Sequence, residues 1–244
     1  MATPSLLLLL ADGRFPAGAH AHSGGLEAAV AAGRVTDLVT LEAFLAGRLA
    51  TAGLVGAAFA AAAHRTAVPE TVGSAHPTRS GVLTGPAVRS QALARLDAEL
   101  DARTAAPALR AVSRRQGRAL LRAGRAIWPD APFADLPATP GGAHQPLVLG
   151  LLCAAAGLSR VETATIAAYG TVTGAASAGV RLLGLDPYRV QALLVGLADA
   201  CDGTAADAAR AADGPPERLP AAAAPLADIH AEIHATWEVR LFAS

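Results

Sequence analysis

Apolar residues recur at helical spacing along most of this chain, and no segment shows the apolar–polar alternation of a strand. Leu41, Phe44, Leu45 and Leu49 form one such stripe, which predicts a long helix opened by Thr36 or Asp37 and running to about His64. Ser5–Ala11 reads as a short apolar helix, and Ser23 is placed to cap another that runs to Ala32 and stops at Gly33, with Glu27 in its first turn where the helix dipole favours an anion. Pro86 and Pro107 suit first helical positions and predict helices to about Arg103 and Pro129, the second turning Leu109, Val112, Gln116, Leu120 and Ile127 inward. Further helices are predicted over about 143–156, from the Asp186–Pro187 pair to about Ala212, and from Pro225 towards Phe242.

The stretch from Ser159 to Leu185 organises this pattern. Ser159 and Glu162 have capping-box spacing. Behind them Gly170, Gly174 and Ala178 recur every fourth residue and share one helix face. Each interior glycine costs about 1 kcal/mol against alanine, so close approach of a neighbouring backbone is expected to offset it. The segment is therefore read as a central buried helix. The fold class is all-α: a single-domain bundle of about eight to ten helices over residues 1–244, with irregular loops near 66–85, 129–142 and 213–224.

Composition narrows the chemistry. The chain has 244 residues and is 52% hydrophobic, much of it alanine, and its 20 basic residues balance 20 acidic ones. No global field favours nucleic acid or a membrane. All 20 basic residues are arginine, so a P-loop lysine and Schiff-base chemistry are both excluded. Cys153 and Cys201 stand far apart outside any metal or redox motif. Leu6–Leu10 is too short for a signal-peptide core and lacks a preceding basic residue, and no uncharged run reads as a membrane span. The expectation is a soluble cytoplasmic protein.

Two clusters remain as candidates for function. His20 and His22 alternate in a loop, and His230 and His234 lie one helical turn apart; the pairs are either structural or solvated histidines, or edges of a metal site, but no HExxH accompanies them. Arg110, Arg114, Arg118 and Arg122 step every fourth residue, with Arg115 and Arg125 beside them. That row is a solvated face, a docking surface for an acidic partner, or a nucleic-acid contact. Aromatic content of 4% supplies few stacking platforms for the last. No nucleophile motif or phosphate cradle is present, so no catalytic residue is assigned.

The two ends of the chain carry a resemblance. FPAGAHAHSGGLEAAVAAGRV, with Pro16, Gly18, Ser23, Gly25, Leu26 and Glu27, resembles the N-terminal signature of the UreF family of urease accessory proteins. PLADIHAEIHATWEVRLFAS resembles that family's closing segment, with His234 in its histidine place and Arg240, Leu241 and Phe242 as its Arg-Leu-Phe ending. Ser113, Gly117, Tyr169 and Gly179 fall in family order between them; His20, Ala21 and Ala235 depart from the usual pattern. The resemblance implies a non-enzymatic helical protein that dimerises, with Tyr169, Gly170, Gly174 and Gly179 in close packing or a subunit contact. It implies partners UreD (also called UreH), the GTPase UreG and apo-urease, and no nucleic acid or membrane. Nickel would be handled by the complex, GTP bound by UreG, and no cofactor or metal held tightly by this chain. The C-terminal residues His234 and Arg240 to Phe242, and the arginine row, are the expected partner contacts. A histidine-based nickel chaperone and a helical nucleic-acid regulator are the alternatives.

Overall fold

The computed structural model describes residues 4–16, 21–68 and 85–242. Gly18, His20 and most of the loop expected at 66–85 lie outside them. The described residues form α-helices and short helical turns without a strand, the all-α class the periodicity predicts. In chain order the helices are α1 (Pro4–Ala11), α2 (Leu26–Ala31), α3 (Leu38–Arg48), α4 (Leu54–Ala67), α5 (Pro86–Arg103), α6 (Pro107–Ile127), α7 (Gln145–Ala155), α8 (Arg160–Leu183), α9 (Pro187–Gly196), α10 (Ala198–Ala211) and α11 (Pro225–Ala235).

The starts follow local chemistry. Asp37 Oδ1 accepts from the Thr40 amide at 2.8 Å, and the Thr40 hydroxyl accepts in return from the Asp37 amide. Ser159 and Glu162 close the same reciprocal box at α8. Asp186 accepts from the Tyr188 amide at 2.9 Å, with Pro187 behind it in the first turn. Satisfying these orphan amides fixes where each helix begins.

The centre of the bundle is α4. A π-helical turn over Leu49–Gly53 joins it to α3, so that Leu38–Ala67 is one rod of 30 residues. By length and composition this rod alone among the described residues could cross a membrane; 44% of its most apolar window is buried inside the protein. Ala57, Ala58, Phe59, Ala60, Ala61 and Ala63 have no exposed surface, and α5, α7, α8 and α10 all pack on α4. Small side chains let those neighbours come close. At Gly150 of α7 a Cβ would collide with the Ala60 carbonyl and the His64 amide, so only glycine fits the α4–α7 crossing. A buried hydrophobic cluster runs from Leu10 through these helices to Phe242.

Three expectations change. The helix expected from Pro187 to Ala212 is two, bent at Gly196 and Leu197, where glycine weakens the helix and Leu197 turns inward. The last helix stops at Ala235 instead of continuing towards Phe242. There the Thr236 hydroxyl donates to the Ile233 carbonyl at 2.8 Å, competing with the backbone ladder. Ile127 is 47% exposed rather than turned inward. The 213–224 segment is irregular as expected, and it is tethered: Arg103 donates to the Pro216, Glu217 and Leu219 carbonyls, and Arg65 to that of Asp213.

Candidate functional site

Glu27 is where the two ends of the chain meet. Gly25 sits at φ +88°, a left-handed conformation that suits glycine, and turns the chain into α2. Ser23 is fully buried and its hydroxyl accepts from the Glu27 amide at 3.3 Å. This turn drives Leu26 into the core against Gly179 and aims the Glu27 carboxylate inward. Three donors from the far end of the chain converge on it. His234 Nε2–H donates to Oε2 at 2.9 Å, the Leu241 amide to Oε1 at 2.8 Å and the Phe242 amide to Oε2 at 3.1 Å. Burial pushes the Glu27 carboxyl up, but the amides and His234 outweigh it and hold it below the ordinary carboxylate range. The Trp237 ring lies 4.7 Å from that of His234, and Arg181 of α8 stands 4.7 Å over the Phe242 ring.

This clasp corrects two expectations. Phe242 is buried and belongs to the core rather than to a free docking end, while Leu241 is 75% exposed and Arg240 is exposed beside it. His234 is committed to Glu27, so the His230–His234 pair is not an open chelating edge. Among the described residues no cluster of three or more His, Cys, Asp or Glu is arranged for a metal ion. The outer face of α11 is apolar: Leu226, Ile229 and Ile233 are each 44% or more exposed, and Val239, between α11 and Leu241 in the chain, is exposed as well.

Much of the arginine row is engaged within the chain. Arg114 forks between Asp97 (2.9 Å) and Asp101 (2.8 Å) of α5 and also donates to the Gly142 carbonyl. Arg110 donates to the Thr104 and Ala105 carbonyls, and Arg118 to that of Gly141. Arg122 is exposed. The acceptors are carbonyls and carboxylates of the chain's own connections, which hydropathy spacing cannot reveal.

The same network contains His144, fully buried at the start of α7. Its Nε2–H donates to Asp101 at 2.8 Å, and its Nδ1 accepts from the Ser113 hydroxyl at 3.0 Å. Ser113 also accepts from the Gln145 amide at 3.3 Å, and Arg114 neutralises Asp101. A serine, a histidine and an aspartate in line resemble a nucleophile and its base, but here the hydroxyl caps α7 and the carboxylate is tied to a guanidinium. Gly117, one turn after Ser113, lets the Ala143 carbonyl lie against α6. The arrangement locks α5, α6 and α7 together. The family order of Ser113 and Gly117 was its sequence signal; nothing in the pattern joined them to Asp97, Asp101 and His144.

The small-residue face of α8 is the main departure from expectation. The buried face of α8 carries Ile166, Val172, Ala175, Ala176, Ala178 and Gly179. Gly179 packs as expected, a Cβ there lying 3.0 Å from Leu41 Cδ2. Gly170 and Gly174 have nothing within 4 Å of a Cβ, and Tyr169 is 43% exposed. These three residues line a groove of about 1570 Å³ with parts of α1, α3 and α6. Among the described residues, the close approach inferred for Gly170 and Gly174 is absent.

Comparison with known proteins follows the same lines. A sequence profile of the UreF family matches residues 35–198. The chain is 42% identical over 244 residues, the full length of both chains, to the urease accessory protein UreF of Mycolicibacterium vanbaalenii. It is 43% identical over the full length of both chains to the protein of that name from Mycobacterium sp. (strain JLS). It is also 43% identical to that of Mycobacterium tuberculosis H37Rv over 208 residues, 85% of this chain and 86% of the relative.

Proposed function

Because this chain belongs to the UreF family of urease accessory proteins, we propose that it is a non-enzymatic scaffold in urease maturation, joining UreD (UreH) to the GTPase UreG while nickel enters apo-urease. Nickel is the cargo of the assembly, and UreG supplies the nucleotide site. This chain has no lysine with which to build a P-loop of its own. The setting is the cytoplasm.

The observation that carries this reading is the clasp at Glu27. It draws both terminal family motifs to one place and holds Leu241 outward while burying Phe242. An exposed apolar residue on a chain end pinned by three hydrogen bonds is preorganised for a partner, since little ordering entropy remains to be lost on docking. Val239 and the outer face of α11 extend the patch, and Arg240 supplies a planar donor fork at its edge. UreD is the partner assigned to it. The open face of α8, with Tyr169, Gly170 and Gly174, is assigned to the homodimer, where a second copy would supply the close approach those glycines permit.

Co-purification tests the assignment. Tagged protein co-expressed with UreD and UreG is expected to retain both. Leu241→Asp together with Ile233→Asp should lose UreD while the lone protein melts within a degree or two of wild type. Undiminished recovery of UreD by the double variant would overturn the α11 assignment, and failure of the wild type to retain either protein would overturn the scaffold reading.

A further inference from the structure

The outer face of α6 carries arginines in single file. Arg110 and Arg114 are engaged by the 104–105 carbonyls and by Asp97 and Asp101. Arg118 and Arg122 are exposed and fall instead into a file with Arg115 and Arg125, spaced three, four and three residues apart. That spacing keeps all four on one side of the helix, over about 15 Å of its length. The opposite side, with Leu109, Val112, Gln116 and Leu120, borders the groove.

The file has no neutralising acid. From Pro107 to Ile127 α6 contains neither aspartate nor glutamate. Elsewhere exposed guanidiniums meet carboxylates, as Arg95 meets Glu217, Arg160 Asp213 and Arg210 Asp207. Among the described residues no carboxylate lies within 4 Å of Arg118, Arg122 or Arg125. Like charges three or four residues apart destabilise a helix, so the file weakens α6 in the lone chain and an anionic partner would relieve it. Arg118 is already held: its guanidinium donates to the Gly141 carbonyl, and a Cβ at Gly142 would come within 2.8 Å of its Cγ. Ala111, Ala119 and Ala126 stand beside the file, small enough to let another backbone lie close.

We propose that this file is a docking surface for an acidic α-helix of a partner protein, one whose carboxylates recur at the same spacing of three and four residues. Two helices share one rise per residue, so those carboxylates stay in register with the guanidiniums along the whole file. Each guanidinium fork takes two carboxylate oxygens at once. A nucleic acid fits less well: the chain's charges balance, so no wider field holds a phosphate backbone, and few aromatics are present to stack on bases. The alanine margin offers no bulky apolar side chains with which to enter a bilayer. This inference is independent of the scaffold reading and is tested on the isolated protein.

The full chain is titrated into a fluorescein-labelled peptide of three Glu-Ala-Ala-Glu-Ala-Ala-Ala heptads at low ionic strength, with binding read by anisotropy. Saturable binding is expected, weakening as sodium chloride is added. A peptide of the same composition, its glutamates spread round the helix, should bind several-fold more weakly. Arg122→Gln combined with Arg125→Gln should lower affinity roughly tenfold or more. Arg122→Lys with Arg125→Lys, which keeps the charge and loses the fork, should lower it several-fold. Both positions are exposed, so both double variants should melt as wild type does, and Arg189→Gln, at an exposed arginine of α9, should leave binding unchanged. The absence of saturable binding, equal binding of the two peptides, unchanged affinity in the glutamine variant, or tighter binding of a mixed-sequence DNA duplex or of phosphatidylserine vesicles would each overturn the proposal.

Discussion

Glu27 and His234 lie 207 positions apart and share a hydrogen bond of 2.9 Å, with both side chains less than a tenth exposed. Neither is placed there by its own helix alone. The Gly25 turn aims one and the early end of α11 the other, and the chain closes on itself between them.

Glu27→Gln should therefore be costly. It removes the charge that orders His234 Nε2–H and the Leu241 and Phe242 amides, and leaves one acceptor oxygen for three donors. Hydrogen bonds to a charged group contribute about 1.5–3 kcal/mol each. A loss of about 2 kcal/mol in urea unfolding is expected, together with faster proteolysis of the C-terminal segment. Stability within about 0.5 kcal/mol of wild type would mean that the clasp contributes little. For the same reason, removing residues 240–244 should lower the melting temperature, contrary to what a free docking tail would do.

Acid should weaken the fold in two stages. Burial lowers the pKa of His64, whose Nε2–H donates to the Leu158 carbonyl at 2.7 Å, and burial likewise lowers that of His144. Below about pH 6.5 the unfolded chain takes up protons that the folded chain refuses, so stability falls as pH drops through that value. Glu27 and Asp101, held below their ordinary values despite burial, act in the same direction at lower pH: their contribution is complete above the unfolded carboxylate pKa and is lost as pH falls through the folded one. Denaturant melts between pH 8 and pH 5 check the histidine stage, and His64→Gln, which keeps a donor, should flatten it. An unchanged slope in that variant would remove His64 from the account.

Two glycines should behave oppositely. Gly150→Ala places a methyl against the Ala60 carbonyl and His64 amide, a clash with backbone that cannot move aside. Overpacking of this kind costs about 1–3 kcal/mol or more. Gly174→Leu meets open space among the described residues and should leave the monomer's melting nearly unchanged while weakening self-association. Light scattering with thermal melts reads both; a Gly174→Leu protein that unfolds as readily as Gly150→Ala would contradict the exposed face of α8.

The isolated protein should show no heat of GTP binding in calorimetry. The absence of lysine removes the phosphate-binding residue of a P-loop. Micromolar binding by this chain alone would reassign the nucleotide site.

What the sequence made legible was local. Asp37, Ser159–Glu162, Asp186–Pro187, Pro86 and Pro107 announce helix starts because their chemistry is complete within four residues. The clasp was half legible: the terminal motifs marked Glu27 and His234 as residues of interest, but nothing local says that a first-turn carboxylate faces inward instead of serving its own helix dipole. Spacing also fails to distinguish who covers a face. Gly170 and Gly174 share a period with buried positions yet face a groove, while Gly150, with no pattern around it, makes the closest crossing. The arginine row has the period of a solvated stripe, and its acceptors lie on α5 and in the 104–106 and 139–142 connections, where hydropathy carries no signal.

The alanine run at the centre of α4 has a thermodynamic consequence. Alanine has no rotamers to freeze, so burying Ala57, Ala58 and Ala60 to Ala63 around the single Phe59 costs almost no side-chain entropy. It also removes less hydrocarbon from water per residue than a leucine-filled core. This stretch therefore adds little to the heat-capacity increment of unfolding, which scales with apolar area exposed, and its contribution to stability is expected to vary little with temperature. Such a core resists chilling better than a bulkier one, because less of its cohesion depends on the part of the hydrophobic effect that fades in the cold.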